Sequence, residues 1–214
     1  MGNGKRESDS PIPSDLRVSP RQARARETVQ RILDTAAVLL DEVGVDGFNT
    51  NLLAARAGVR VRTVYRYFPN KSAVILALAE RVVSEWDAWA QGELANFDGD
   101  ADWRTAVEHA TRGLVQRVRE LPGHAAIRRA MRAVPELYAL DQQDNVRMAA
   151  AYARALRQLD PQLTPARARR VARCLIESTA AIMDVALAQS PASARGLIDE
   201  LLEMQLAYLE SILA

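Results

Sequence analysis

AGVRVRTVYRYFPNK, residues 57–71, is the stretch from which the rest of the chain is read. Counting from Arg56, it sets four arginines and one lysine within sixteen residues with no carboxylate among them, although the whole 214-residue chain carries a formal net charge of only +1. A local excess of one sign points to a partner of the opposite sign. In VRTVYRYF, helical spacing turns Val64 and Phe68 inward, which leaves Arg62 with Arg66, and Thr63 with Tyr67, as two outward pairs four residues apart. Arginine forks match guanine edges and phosphate oxygens, hydroxyl groups donate to phosphates, and a helix fits the DNA major groove. Lys71 falls in the first turn of the next helix, where free backbone N–H groups and the positive dipole end also favour an anion. Such a charge run is often only a solvated face. Here it lies on the second helix of a helix-turn-helix and is flanked by aromatics, which favours DNA.

Working outward, Ile32, Ala36, Leu39, Leu40 and Val43 recur at steps of three and four and predict a first helix, with Gly44 as its stop. Asn49 or Thr50 can cap a short helix carrying Leu52, Leu53 and Ala57, which Gly58 ends. The recognition helix follows and stops at Pro69; two short helices joined by a glycine turn make the helix-turn-helix. Asn70 caps a long helix holding Ile75, Leu78, Val82, Trp86 and Trp89. Further helices are expected over about 102–121, 124–133, 135–160, 165–189 and 193–213, the fourth of these announced by Thr164 and Pro165. The fold class is all-α with about nine helices and no internal repeat. Residues 1–20 have the composition of a mobile tail. Arg21, Arg24 and Arg26 are either an arm along the minor groove or the exposed charges of a first turn.

Composition excludes several classes. With 49% hydrophobic residues a sizeable core can form, yet no run of about 18 apolar residues suggests a membrane span, and no secretory signal is recognisable, so the expected location is cytoplasmic. The lone Cys174, read as a small buried hydrophobe, and two histidines, His109 and His124, lack metal-ligand spacing, so neither a metal nor another cofactor is expected. No nucleophile–base pair or phosphate loop marks an enzyme. Residues 1–72 hold 12 Lys+Arg against 8 Asp+Glu, net +4, and the remainder 16 against 19, net −3. The two parts suit different partners.

Residues 31–78, RILDTAAVLLDEVGVDGFNTNLLAARAGVRVRTVYRYFPNKSAVILAL, resemble the N-terminal domain of the tetracycline-repressor-like (TetR) family of bacterial transcription regulators, most specifically in AGV…TVYRYFPNK. The resemblance implies a homodimer on a pseudo-palindromic double-stranded operator, with recognition helices in major grooves about 34 Å apart. By position it implies base contacts from Arg60, Val61 and Arg62, phosphate contacts from Thr63, Tyr65, Tyr67 and Lys71, and either from Arg66. Asn49 and Thr50 complete the candidate DNA-facing set. Arg60 stands where the family usually has a small capping residue and Arg62 where glycine is frequent, so the start of this helix departs from the pattern.

The implied organisation is a tail (1–20), a DNA-binding domain (21–72) and a ligand-binding and dimerisation domain (73–214). For the last two helices, the small residues Ser178, Ala180 and Ala181 and the broad face of Ile198, Leu201, Tyr208, Leu209 and Ile212 suit either a dimer bundle or a monomer core. Trp86, Trp89, Trp103, Met131, Tyr138, Met148, Tyr152 and Met183 are candidates for an apolar effector cavity, each with plain core as its alternative. Glu177 is either a polar anchor or the i,i+4 partner of Arg173. The function expected is a regulator, most simply a repressor released by a small, largely apolar effector; a constitutive DNA-binding factor and an all-helical enzyme are the alternatives.

Overall fold

The computed structural model describes residues 23–95 and 102–213, so the expected tail, and Arg21 of the candidate arm, lie outside the described residues. The described residues form nine helices and no strand: α1 (Ala23–Gly47), α2 (Thr50–Arg56), α3 (Val61–Tyr67), α4 (Lys71–Ala95), α5 (Trp103–Glu120), α6 (His124–Ala133), α7 (Pro135–Leu159), α8 (Pro165–Leu187) and α9 (Pro191–Leu213). Local chemistry sets most of these boundaries. Helical geometry breaks at Gly44 (φ 66°, ψ 180°), and one more turn reaches Gly47. Asn49, rather than Thr50, caps α2, its side chain accepting the Leu52 N–H at 2.9 Å. Asn70 does the same for α4 with the Ala73 N–H, also at 2.9 Å. At the start of α3, Arg60 offers no side-chain cap, the consequence of the substitution noted in the sequence. Ser190 accepts the Ser193 N–H, so α9 begins at Pro191, two residues before the expected start.

The turn between α2 and α3 requires Gly58, which has φ +65°, a region that side chains rarely occupy. It folds α3 back so that Val64 and Phe68 join the core cluster to which α1 and α4 also contribute, as the spacing predicts. Phe48, Phe68, Leu53 and Leu78 are almost fully buried there. Each such side chain contributes roughly 2–3 kcal/mol of hydrophobic stabilisation. The same apolar cluster continues from Val29 and Ile32 on α1 through Val82 on α4 to Ile127 and Met131 on α6 and Leu201 on α9, with no gap at residue 72. A smaller cluster joins the far ends of α7, α8 and α9 around Leu156, Val171 and Leu209.

α6 is held tightly against α1. Gly123 has φ +80°, donates its N–H to Asp41 Oδ2 at 2.6 Å, and a Cβ there would lie 2.8 Å from the Cα and Cβ of Ala37. Gly123→Ala should therefore destabilise the fold by about 2 kcal/mol or more, through overpacking against backbone and through strain. Gly196→Ala, on α9 with nothing within 4 Å of the new Cβ, should be neutral or stabilising by up to ~1 kcal/mol. Urea denaturation of both variants checks the pair of outcomes.

Candidate nucleic-acid interface and ligand cavity

The exposed face of α3 carries Arg60, Arg62, Tyr65 and Arg66, with Val61, Thr63 and Lys71 partly exposed beside them. Arg60, Arg62, Arg66 and Lys71 make no ion pair among the described residues. Arg56 differs. It holds Glu42 in a two-pronged pair at 2.8 and 3.1 Å, and the guanidinium keeps the Glu42 carboxyl below the usual range, so the unbalanced patch contains four cations rather than five. Tyr67 is also corrected. At 4% exposure it lies inside with Val64 and Phe68, because positions 64, 67 and 68 form one i, i+3, i+4 stripe; the outward pair with Thr63 does not form. Thr50 is 8% exposed and its hydroxyl shares a 3.1 Å hydrogen bond with the Tyr65 hydroxyl, bracing α3 against α2. Arg24 of the candidate arm lines a cleft with Arg31, Arg60 and Arg62. Arg31 escaped the sequence reading, although its spacing of seven from Arg24 places both on one face of α1.

A cavity of about 170 Å³ lies among α4, α5, α6, α7, α8 and α9. Six of the expected residues line it: Trp86, Trp89, Trp103, Met148, Tyr152 and Met183. The other three do not. Met131 is fully buried in the core on α6, Tyr138 is 45% exposed on the outside of α7, and Glu177 pairs with Arg173 at 2.6 Å and accepts from Asn145 at 3.4 Å. Cys174, expected to be buried, is exposed. Missing from the sequence reading are Arg128, Asp141, Asp144 and Asn145, which line one part of the cavity. Their signal was an interrupted stripe: Leu137, Asp141, Asp144, Asn145, Met148 and Tyr152 follow one inward face of α7, polar where the periodicity calls for apolar residues.

Arg128, almost fully buried, donates to Asp141 Oδ1 at 2.7 Å and to Asp184 Oδ1 at 2.6 Å, and Arg132 also binds Asp184. Burial pushes the Asp144 carboxyl up despite the Arg147 guanidinium at 2.6 Å. Burial and the nearby Glu93 push the Tyr152 hydroxyl up to about 12, so it keeps its proton and remains a donor. A second polar chain leads away from the cavity wall. Trp86 Nε1 donates to Nδ1 of buried His124 at 3.0 Å, which leaves the imidazole proton on Nε2 facing Glu85 at 3.1 Å. Glu85 lies by Arg81, which pairs with Asp34 of α1 at 2.6 Å.

Because the folded-state pKa of Asp144 is raised, the native protein binds more protons than the unfolded chain between the ordinary carboxylate value and the raised one, and stability falls as pH rises through that window. Asp144→Asn should thus melt no lower than the parent at pH 7, with any gain vanishing as pH falls below the carboxylate range. Melting curves across pH 3–8 check this, and a variant that melts well below the parent at pH 7 would show the pair with Arg147 to dominate.

Among the described residues no group of His, Cys, Asp and Glu could hold a metal, and no helix is long and apolar enough to cross a membrane. Residues 32–78 match the model of bacterial regulatory proteins of the tetR family, and residues 102–209 that of the tetracyclin repressor-like C-terminal domain. The HTH-type transcriptional regulator EthR of Mycobacterium tuberculosis is 36% identical over 104 residues, covering 47% of each chain. The class A tetracycline repressor protein from transposon 1721 of Escherichia coli is 39% identical over 74 residues, 35% of this chain and 32% of that one. These alignments thus span at most about half the length of those relatives. A TetR-family regulator from Streptomyces coelicolor shares the fold with TM-score 0.63 and 28% identity, over 86% of this chain and 98% of that one. Since the C-terminal model alone takes in half of the chain, and the N-terminal one takes in the helix-turn-helix that carries the free arginines, the protein belongs to the TetR family of DNA-binding transcriptional regulators and is not an enzyme.

Proposed function

We propose that the protein is a homodimeric repressor, working in the cytoplasm, that binds a pseudo-palindromic operator and leaves it when a small effector enters the cavity. In this reading residues 21–72 bind DNA and residues 73–214 sense the ligand and pair the two copies. The observation that carries it is the face of Arg60, Arg62 and Arg66, exposed on the second helix of a helix-turn-helix and balanced by no acid among the described residues. Arg62 and Arg66 read bases, while Lys71, at the N-terminus of α4, holds a phosphate with the help of the helix dipole. Tyr65, braced by Thr50, offers its hydroxyl to the backbone. Buried Tyr67 acts by packing α3 rather than by touching DNA.

Dimerisation is supported by the outer surface of α8 and α9. Ile198, Leu201 and Leu209 are used up in the protomer's own core, but Ala181, Val185, Met204 and Tyr208 stay exposed along the two adjacent helices. An apolar patch of that kind suits a second copy making a four-helix bundle. The effector claim is supported by the cavity, which a constitutive DNA-binding factor would have no reason to keep open. An effector releases the operator only if it binds the DNA-free state more tightly.

Arg62→Ala or Arg66→Ala should cost about 1–3 kcal/mol on the preferred duplex and relax the choice of particular bases. Lys71→Ala should weaken binding to all duplexes alike and reduce the salt slope by about one. Fluorescence anisotropy over a salt series separates the two kinds of contact; identical behaviour would overturn the division. Tyr208→Glu should give a monomer by light scattering, and a variant that remains dimeric would move the interface elsewhere.

A further inference from the structure

We infer that the cavity takes an amphiphilic amine, a ligand with an apolar body and a cationic nitrogen that docks on the buried carboxylate of Asp141. The inference rests on the reading of the cavity as an effector site. Its starting point is an unsatisfied atom: Asp141 is 3% exposed and lines the cavity, and while its Oδ1 accepts from Arg128, its Oδ2 is buried with no hydrogen-bond donor. A buried carboxylate oxygen left unpaired costs free energy that a bound donor would recover.

The charge around Asp141 favours a cation over a neutral donor. Its nearest neighbour along the wall, Asp144, is a second buried carboxylate, with a side chain 8% exposed. The buried positive group in contact with Asp141 is Arg128, 3% exposed, and its guanidinium is divided between Asp141 and Asp184. Arg132 and Arg147 complete the cluster from its outer side, 37% and 63% exposed, where they pair with Asp184 and Asp144. Asp87 on α4 adds its negative field to Asp144. Four carboxylates, Asp87, Asp141, Asp144 and Asp184, thus stand against three guanidiniums, Arg128, Arg132 and Arg147. Trp86 and Trp89 line the same cavity, Trp89 with the Arg117 guanidinium already 5.3 Å from its ring centroid, and aromatic surfaces attract an ammonium group as well as an alkyl or aryl body. A carboxylate ligand would meet repulsion at this end, and an alcohol would satisfy Oδ2 without answering the charge.

The chain's three tryptophans all line the cavity, so intrinsic fluorescence reports its occupation. The test titrates the full-length protein with octylamine, octan-1-ol and octanoate, which share a chain length and differ in head group. Octylamine should bind at least tenfold tighter than the other two. Asp141→Asn should bring octylamine to within threefold of octan-1-ol. If Asp141→Asn fails to fold by circular dichroism, Asp144→Asn serves, and should reduce the amine preference at least threefold. Equal binding of the three probes, a preference for octanoate, or an amine preference that survives the Asp141 substitution would overturn the assignment while leaving the cavity a ligand site. No fluorescence response to any of the three would instead overturn the effector reading on which the assignment rests.

Discussion

One unbroken helix sets what this molecule can do. α4 runs from Lys71 to Ala95, about 37 Å at 1.5 Å per residue. Val74, Ile75 and Leu78, near its start, complete the core under the helix-turn-helix, and Trp86, Trp89 and Ala90, two to three turns further on, form a wall of the cavity. Protein interiors are close-packed, so a wall displaced by a ligand cannot be absorbed by loose space around it. Nor is α4 free to move alone. Arg81 ties it to Asp34 of α1, and Trp86 ties it to His124 at the start of α6, which Gly123 in turn presses against α1. In the proposed mechanism, a shift at the tryptophans reaches the base of the recognition helix through these packed side chains and hydrogen bonds.

The buried polar cluster of the cavity has a different logic. Replacing a buried ion pair by well-packed apolar residues is often neutral or stabilising, so Arg128, Asp141 and Asp184 are poorly explained as a source of stability. Arg128 reaches across from α6 to α7 and α8 and fixes how those helices meet. A wholly apolar wall would also bind any hydrophobic molecule of suitable size. Charges placed in a cavity restrict what enters, since each wrong head group leaves one of them unanswered.

Most of the fold could be read from the sequence because its boundaries rest on local chemistry. Gly58 needs its left-handed turn, Asn49 and Asn70 supply caps within three residues, and Val64 with Phe68 announce the inner face of α3. The errors fall where a side chain's direction depends on what lies across the interface. The spacing of four from Thr63 suggests that Tyr67 faces outward, but it stands on the same stripe as Val64 and Phe68. Met131 and Tyr138 are large enough for a cavity wall, yet α6 turns the first into the core, and Tyr138, one residue after the inward Leu137, faces out. Asp141 and Asp144 were passed over for the converse reason. Acidic residues on a helix are ordinarily solvated, and only the packing of α6 and α8 against α7 shows that these two are inside. Glu42 was likewise too far from Arg56 in sequence to be recognised as its partner.

The most direct measurement is selection of bound duplexes from a random DNA pool by the purified protein at about physiological salt, because electrostatic affinity depends steeply on ionic strength. A dimer presenting two copies of the α3 arginine face should recover a two-fold-symmetric sequence, its half-sites about one helical turn apart. Recovery of no preferred sequence would reduce that face to non-specific attraction and contradict the operator-binding repressor.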